Sequence, residues 1–172
     1  MVEHGSSLMW AEAALKTGAG ADHGSQLPTG TVTFLLSDIE GSTRLWSEFA
    51  DAMPEAVSRV YAIFDDAVAS HEGVRPVEQG EGDSVVAAFS RATDALGAAL
   101  EAQRHLHSQQ WPDGMSLRVR IALHTAEAQL RDSGNYFGVA LSRCARIRAI
   151  APGGQTFLSR SVRDLVLDGL PQ

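Results

Sequence analysis

TVTFLLSDIEGSTR, residues 31–44, is the stretch on which the reading of this chain turns. Thr31 to Leu36 is a short β-branched and apolar run, the signature of a buried strand. It stops at Ser37-Asp38, so Asp38 sits where a strand ends and a loop begins. Gly41 follows and allows close approach of the backbone, and a helix starts at Ser42-Thr43. The free N–H groups and positive dipole of a helix start suit a phosphate, which makes Gly41, Ser42 and Thr43 candidate substrate contacts.

Downstream the period changes. Val57, Val60, Tyr61, Phe64 and Val68 recur at helical spacing, and Pro54 divides the region Ser42 to Ser70 into two helices. After Gly73, the runs Val74 to Val77 and Val85 to Phe89 flank a GEGD loop and predict a hairpin with Asp83 at its tip. Ser90 is the expected N-cap of a helix reaching about His107. Beyond the turn Trp111 to Gly114, Leu117, Val119, Ile121 and Leu123 alternate with Arg118, Arg120, Ala122 and His124, the pattern of a strand with one buried face. His124 reads as a strand residue rather than an acid-base group. A second strand is expected over about Glu127 to Arg131, a turn over Asp132 to Asn135, and a helix from Val139 to Ile150, ended by Pro152-Gly153-Gly154. Gln155 to Leu158 and Val162 to Leu167 predict a last strand and helix. Strands mixed with helices, some joined by hairpins, favour an α+β fold with a ferredoxin-like antiparallel sheet over a parallel one.

The Gly-, Ala- and Ser-rich residues 1–29 read as a flexible leader, and residues 30–172 as one domain. A net charge of -7 and a pI near 5.3 argue against the broad basic surface that non-specific nucleic-acid binding needs. An anionic ligand would then depend on metal or on a few local arginines. The single cysteine, Cys144, forms no internal disulfide, no apolar run is long enough to span a membrane, and the N-terminus lacks the order of a secretory signal. Cytoplasm is the expected compartment.

Asp38 and Asp83, at adjacent strand ends, are two carboxylates able to share hard divalent cations, which take oxygen ligands and bridge phosphates. Either alone also suits a cap or a turn. FLLSDIEGST resembles the first metal-binding motif of the class III adenylyl and guanylyl cyclases, and VEQGEGDSVVAAF their second. RVRIALHT is similar to the strand that follows in that family, and NYFGVALSRCARI resembles its final motif. Four motifs occur in order between about Gly30 and Leu167.

The resemblance implies that Asp38, Asp83 and the Ile39 carbonyl bind two Mg2+ or Mn2+ ions per active site. It implies attack of a ribose 3'-hydroxyl on the α-phosphate of ATP, with GTP a second candidate, releasing pyrophosphate. Arg146 falls at the family's transition-state arginine, and Ser142 where an asparagine usually orients the ribose. Gln79 and Asn135 hold the base-reading positions usually filled by lysine and by aspartate or threonine. Amides present both donor and acceptor, which predicts relaxed base choice, and this pairing resembles a mycobacterial-type subgroup. Ala126 replaces the glycine usual after His-Thr. The resemblance further implies a homodimer whose active sites lie between two catalytic domains, and a further C-terminal hairpin, so that the domain is expected to be cut short near Gln172. Because a serine reaches less far than an asparagine, weak turnover is one expectation. A catalytically degenerate module that binds nucleotide or dimerises is the alternative. A diguanylate cyclase or polymerase palm is disfavoured, since no GGDEF-like run occurs.

Overall fold

The computed structural model describes residues 26–77, 82–112, 114–131 and 134–167. The leader expected over residues 1–29 therefore falls, but for its last four residues, outside the described part. The central strand β1 (Gly30–Ile39) runs three residues beyond the expected stop at Leu36. It stays extended because both its edges are paired: β2 (Val85–Phe89) runs antiparallel on one side, from Thr33 opposite Phe89 to Ser37 opposite Val85. On the other side β3 (Val119–Leu130) is antiparallel from Gly30 opposite Ala128 to Ile39 opposite Val119. That unbroken ladder is why the two strands expected at 117–123 and 127–131 are one. Thr33 and Thr125 complete it with a buried hydroxyl contact of 2.8 Å. β4 (Tyr136–Phe137) pairs with the far end of β3, and β5 (Thr156–Leu158) lies parallel to its start, beside Ile121 to Leu123.

Alternation along β1 and β3 sends side chains into two cores. Leu35, Ile39, Ile121 and Leu123, with Phe89 of β2, face α2 (Met53–Ser70), α3 (Ala92–Ser108) and α5 (Arg160–Val166). Val32, Phe34, Leu36 and Ala122 face Ala140 and Cys144 of α4 (Val139–Ala149). Phe34, Phe64 and Phe89 are fully enclosed, each worth roughly 1.5–3 kcal/mol relative to an exposed ring. In α3 the buried face is Ala92, Ala95, Ala98, Ala99 and Ala102, small enough for a close approach to its neighbours. Pro54 stands in the first turn of α2, where its missing N–H costs nothing, and so separates α2 from α1 (Ser42–Glu48) as expected. On α4, the Cys144 thiol is fully buried between the carbonyls of Phe34 and Ala122, and burial pushes its pKa up to about 12.

Two local expectations are corrected. Val74 to Val77 is not a hairpin strand: Val74 makes one bridge to Ala88, after which Pro76 has no N–H to extend the ladder and Val77 is 87% exposed. Ser90 does not cap α3, because the chain remains extended through Arg91 and the helix begins one residue later. The α+β class with a mainly antiparallel sheet is as expected.

Gly73, at the exit of α2, lies against the first, larger core. A Cβ there would stand 2.3 Å from the Phe89 ring and 2.8 Å from Val68. Gly73→Ala is expected to destabilise the fold by about 1–3 kcal/mol in urea unfolding, through overpacking. His124 faces the α4 layer, opposite Phe34, at 9% exposure, and neither ring nitrogen has a hydrogen-bond partner. Burial first, and the charge of Arg143 second, lower its pKa from 6.5. The unfolded chain therefore takes up this proton before the folded one does. Stability contributed by neutral His124 is complete above pH 6.5 and falls as pH drops below it, by up to about 1.4 kcal/mol per pH unit. His124→Phe should flatten that slope in melts from pH 7.5 to 5; an unchanged slope would contradict the assignment.

Candidate active site

Asp38 lies on the α4 side of the sheet, near the end of β1, with 13% of its side chain exposed. Strand register sets Arg120 directly opposite it on β3. The guanidinium grips the carboxylate with both prongs: Nε donates to Oδ1 at 2.7 Å and Nη2 to Oδ2 at 2.6 Å. Such fork-to-fork pairing is the strong form of the interaction. It raises the Arg120 pKa, the hydrogen bonds with Asp38 being the largest cause. A second cation arrives from α4, where Arg148 places Nε 3.3 Å from Oδ2 of Asp38 and donates from Nη1 to the Ser37 carbonyl.

Asp83 belongs to the turn that leads into β2 and returns to the same strand end. Its Oδ2 accepts from the Ile39 amide at 2.9 Å, so the residue after Asp38 is tied to the second carboxylate. The turn is also held from α2, where Tyr61 donates its hydroxyl to the Gly82 carbonyl and carries the Arg75 guanidinium over its ring at 5.4 Å. Burial raises the Tyr61 pKa, so this hydroxyl keeps its proton as a donor. Glu40 completes the corner: its amide donates to the Arg118 carbonyl, and its carboxylate accepts from the Gly153 amide at 2.9 Å. A Cβ at Gly153 would meet that carboxylate at 2.5 Å.

Gly41 adopts a left-handed conformation, φ 66°, and its carbonyl accepts from Arg44 and Leu45 as α1 begins. Ser42 is half-buried and Thr43 exposed beside it. Ser142 and Arg146 are both exposed on α4. Positions 146 and 148 are about 200° apart around a helix, so while Arg148 turns inward to Asp38, Arg146 points away from it. Asn135 is buried next to β4. Gln79 lies outside the described residues. The chain thus brings Asp38, Ile39, Asp83 and the start of α1 to one corner, and leaves Ser142 and Arg146 on the outer surface of α4.

Arg120 and Arg148 were not singled out from the sequence. Arg120 was legible only as a polar alternate in a strand, and its register against Asp38 is a fact of pairing; Arg148 lies two residues beyond the motif arginine, Arg146, with no local signal of its own. The corner's donor set is two carboxylates and a backbone carbonyl, hard oxygen ligands suited to Mg2+ or Mn2+. Among the described residues no group of three or more His, Cys, Asp or Glu is gathered so as to hold a metal ion. No helix among the described residues is long and apolar enough to cross a membrane.

The chain is 45% identical over 152 residues to the uncharacterized protein Rv0891c of Mycobacterium tuberculosis, covering 88% of this chain and 50% of that protein. It thus spans about half the length of this relative. An adenylate cyclase of Lachancea kluyveri is 31% identical over 156 residues, covering 77% of this chain and 8% of that one. Among solved structures, the adenylate/guanylate cyclase/hydrolase of Silicibacter pomeroyi superposes with a TM-score of 0.70 at 26% identity, over 83% of this chain and 82% of that one. Residues 25–166 match the family described as the adenylate and guanylate cyclase catalytic domain. With that match spanning most of the sequence and all of the corner built around Asp38, the chain belongs to the adenylate and guanylate cyclase catalytic domain family.

Proposed function

We propose that this domain converts ATP to 3',5'-cyclic AMP and pyrophosphate, with GTP as a second substrate, at sites shared between two copies of the chain. The observation that carries the reading is the meeting of Asp38 and Asp83 at one strand end, joined through the Ile39 amide. Asp38, Asp83 and the Ile39 carbonyl would hold Mg2+ or Mn2+, which supplies neutralisation of the triphosphate and acidification of the ribose hydroxyl. In the reaction the 3' oxygen bonds to the α-phosphorus, the bond to the bridging oxygen of pyrophosphate breaks, and the hydroxyl proton leaves to solvent.

The chain's own groups have distinct tasks in this scheme. Gly41, Ser42 and Thr43 border the phosphates at the start of α1. Arg146, exposed and turned from its own Asp38, is available to the site of a second copy, where its fork suits charge growing on phosphate oxygens. Phe137, exposed just before that helix, and Val139, exposed in its first turn, supply apolar surface for the contact. Ser142 offers one hydroxyl toward the ribose, and Gln79 and Asn135 offer amides toward the base. Cytoplasm is the compartment we assign to it.

The rival reading is a degenerate module that keeps the fold without turnover. It draws on the occupation of Asp38 by Arg120 and Arg148 and on serine at position 142. An assay of cyclic nucleotide formation from ATP and from GTP in Mn2+, at rising protein concentration, separates the two. Product is expected, with specific activity increasing as the protein dimerises. Asp38→Ala should abolish it, and Arg146→Ala should lower it by about a hundred- to a thousand-fold. A demonstrated dimer that makes no product at any concentration would leave the degenerate module as the answer.

A further inference from the structure

We infer that Arg120 and Arg148 are resident counter-ions of the metal-binding carboxylate, so that loading a divalent cation on Asp38 is an exchange in which Arg120 must let go. The inference rests on the metal role proposed for Asp38, and it concerns what that role costs in this chain.

Three observations carry it. Both oxygens of Asp38 are engaged by Arg120, at 2.7 and 2.6 Å, so a metal that takes the chelating edge of the carboxylate has to displace that grip. The grip is built into the fold rather than made by a wandering surface side chain. The two residues face each other in the β1–β3 register, Arg120 is only 25% exposed, and ordering such a pair costs little further entropy. Finally, Arg148 sets a second positive charge 3.3 Å from the same oxygen, and its Nε is buried with no hydrogen bond of its own. Two guanidiniums on one carboxylate put excess positive charge on Asp38 itself, while the Glu40 and Asp83 carboxylates lie close enough to act on Arg120 as well. An incoming dication at Asp38 is attracted by Glu40 and Asp83 but meets the two guanidiniums at shorter range and in partial burial, where screening by salt is weak.

The arrangement assigns unequal parts to the two arginines. Arg120 competes with ligation directly, holding one lone pair on each oxygen along the chelating edge. Arg148 acts at a distance of one ion pair and is anchored to the Ser37 carbonyl, so it stays when Arg120 leaves. Arg148 also sits two residues from Arg146 on the same helix. A movement of α4 that repositions Arg146 therefore shifts the charge facing Asp38 in its own subunit.

The test is Mn2+ binding without nucleotide, followed by electron paramagnetic resonance of the free ion and by the rise of Tm with added Mn2+. The proteins are the wild type, Arg120→Gln, Arg148→Gln and Asp38→Asn. Both arginine variants should bind Mn2+ more tightly than the wild type, by about five- to tenfold, and show a larger Mn2+-dependent rise in Tm. Without metal, Arg120→Gln should melt below the wild type, since Asp38 loses its bidentate partner. Should that variant fail to fold, Arg148→Gln, on the helix rather than in the ladder, carries the comparison. Asp38→Asn should abolish the binding. If Asp38→Asn abolishes binding but neither arginine variant tightens it, the exchange is wrong and the metal role of Asp38 stands. If Asp38→Asn binds like the wild type, or no protein binds Mn2+, the metal role itself fails and the exchange fails with it.

Discussion

The antiparallel pairing of β1 with β3, kept in register over ten residues from Gly30 to Ile39, is the constraint on which the site depends. Because side chains alternate, this register decides at once which residues fill the two cores and which polar residues meet at the strand's end. Leu35, Ile39, Ile121 and Leu123 share one face, while Phe34, Ala122, Asp38 and Arg120 share the other. A slip of one residue would turn Asp38 toward the larger core and exchange the side chains that β1 sends to the two cores. The cost of that inversion, mispacking of both cores and an unpaired buried charge, fixes the position of the carboxylate as firmly as any contact within the site.

The site is consequently a by-product of sheet geometry, trimmed by contacts from three other elements. The Asp83 turn is tied in through the Ile39 amide, α2 steadies that turn through Tyr61, and the loop after α4 is fastened by Glu40 and Gly153. Helix α4 occupies a special place among them. It covers the second core with Ala140 and Cys144, delivers Arg148 to Asp38, and presents Arg146 to the outside. One helix thus carries both a charge for the site of its own subunit and, in the proposed dimer, a charge for the site of the other. Packing, electrostatics and assembly meet on it.

Much of this was legible in the sequence, because the signals were local. The run TVTFLL, the helical spacing of Val57 to Val68 and the alternation of Leu117 to Leu123 each declare an element through its own periodicity, and Pro54 declares a helix start through its own ring. The motif residues pointed to the family that residues 25–166 match. What escaped was non-local or set by a single backbone choice. Residues 74–77 have strand-like composition, but Pro76 ends the ladder after one bridge. The expected break inside β3 vanished because β1 pairs along its whole length. Arg120 could not be matched to Asp38 without the register, and Arg148 could not be turned inward without knowing which side of α4 faces the sheet.

The central claim is that the corner around Asp38 is a metal-nucleotide site whose carboxylate changes partners when it is loaded. Crystals grown with Mn2+ and an ATP analogue that resists attack at its α-phosphate test this through the anomalous scattering of manganese. The account predicts an anomalous peak in contact with Asp38 and Asp83, with the Arg120 guanidinium moved off the carboxylate. Nucleotide bound with Arg120 still clasping Asp38, and no manganese at that corner, would contradict it.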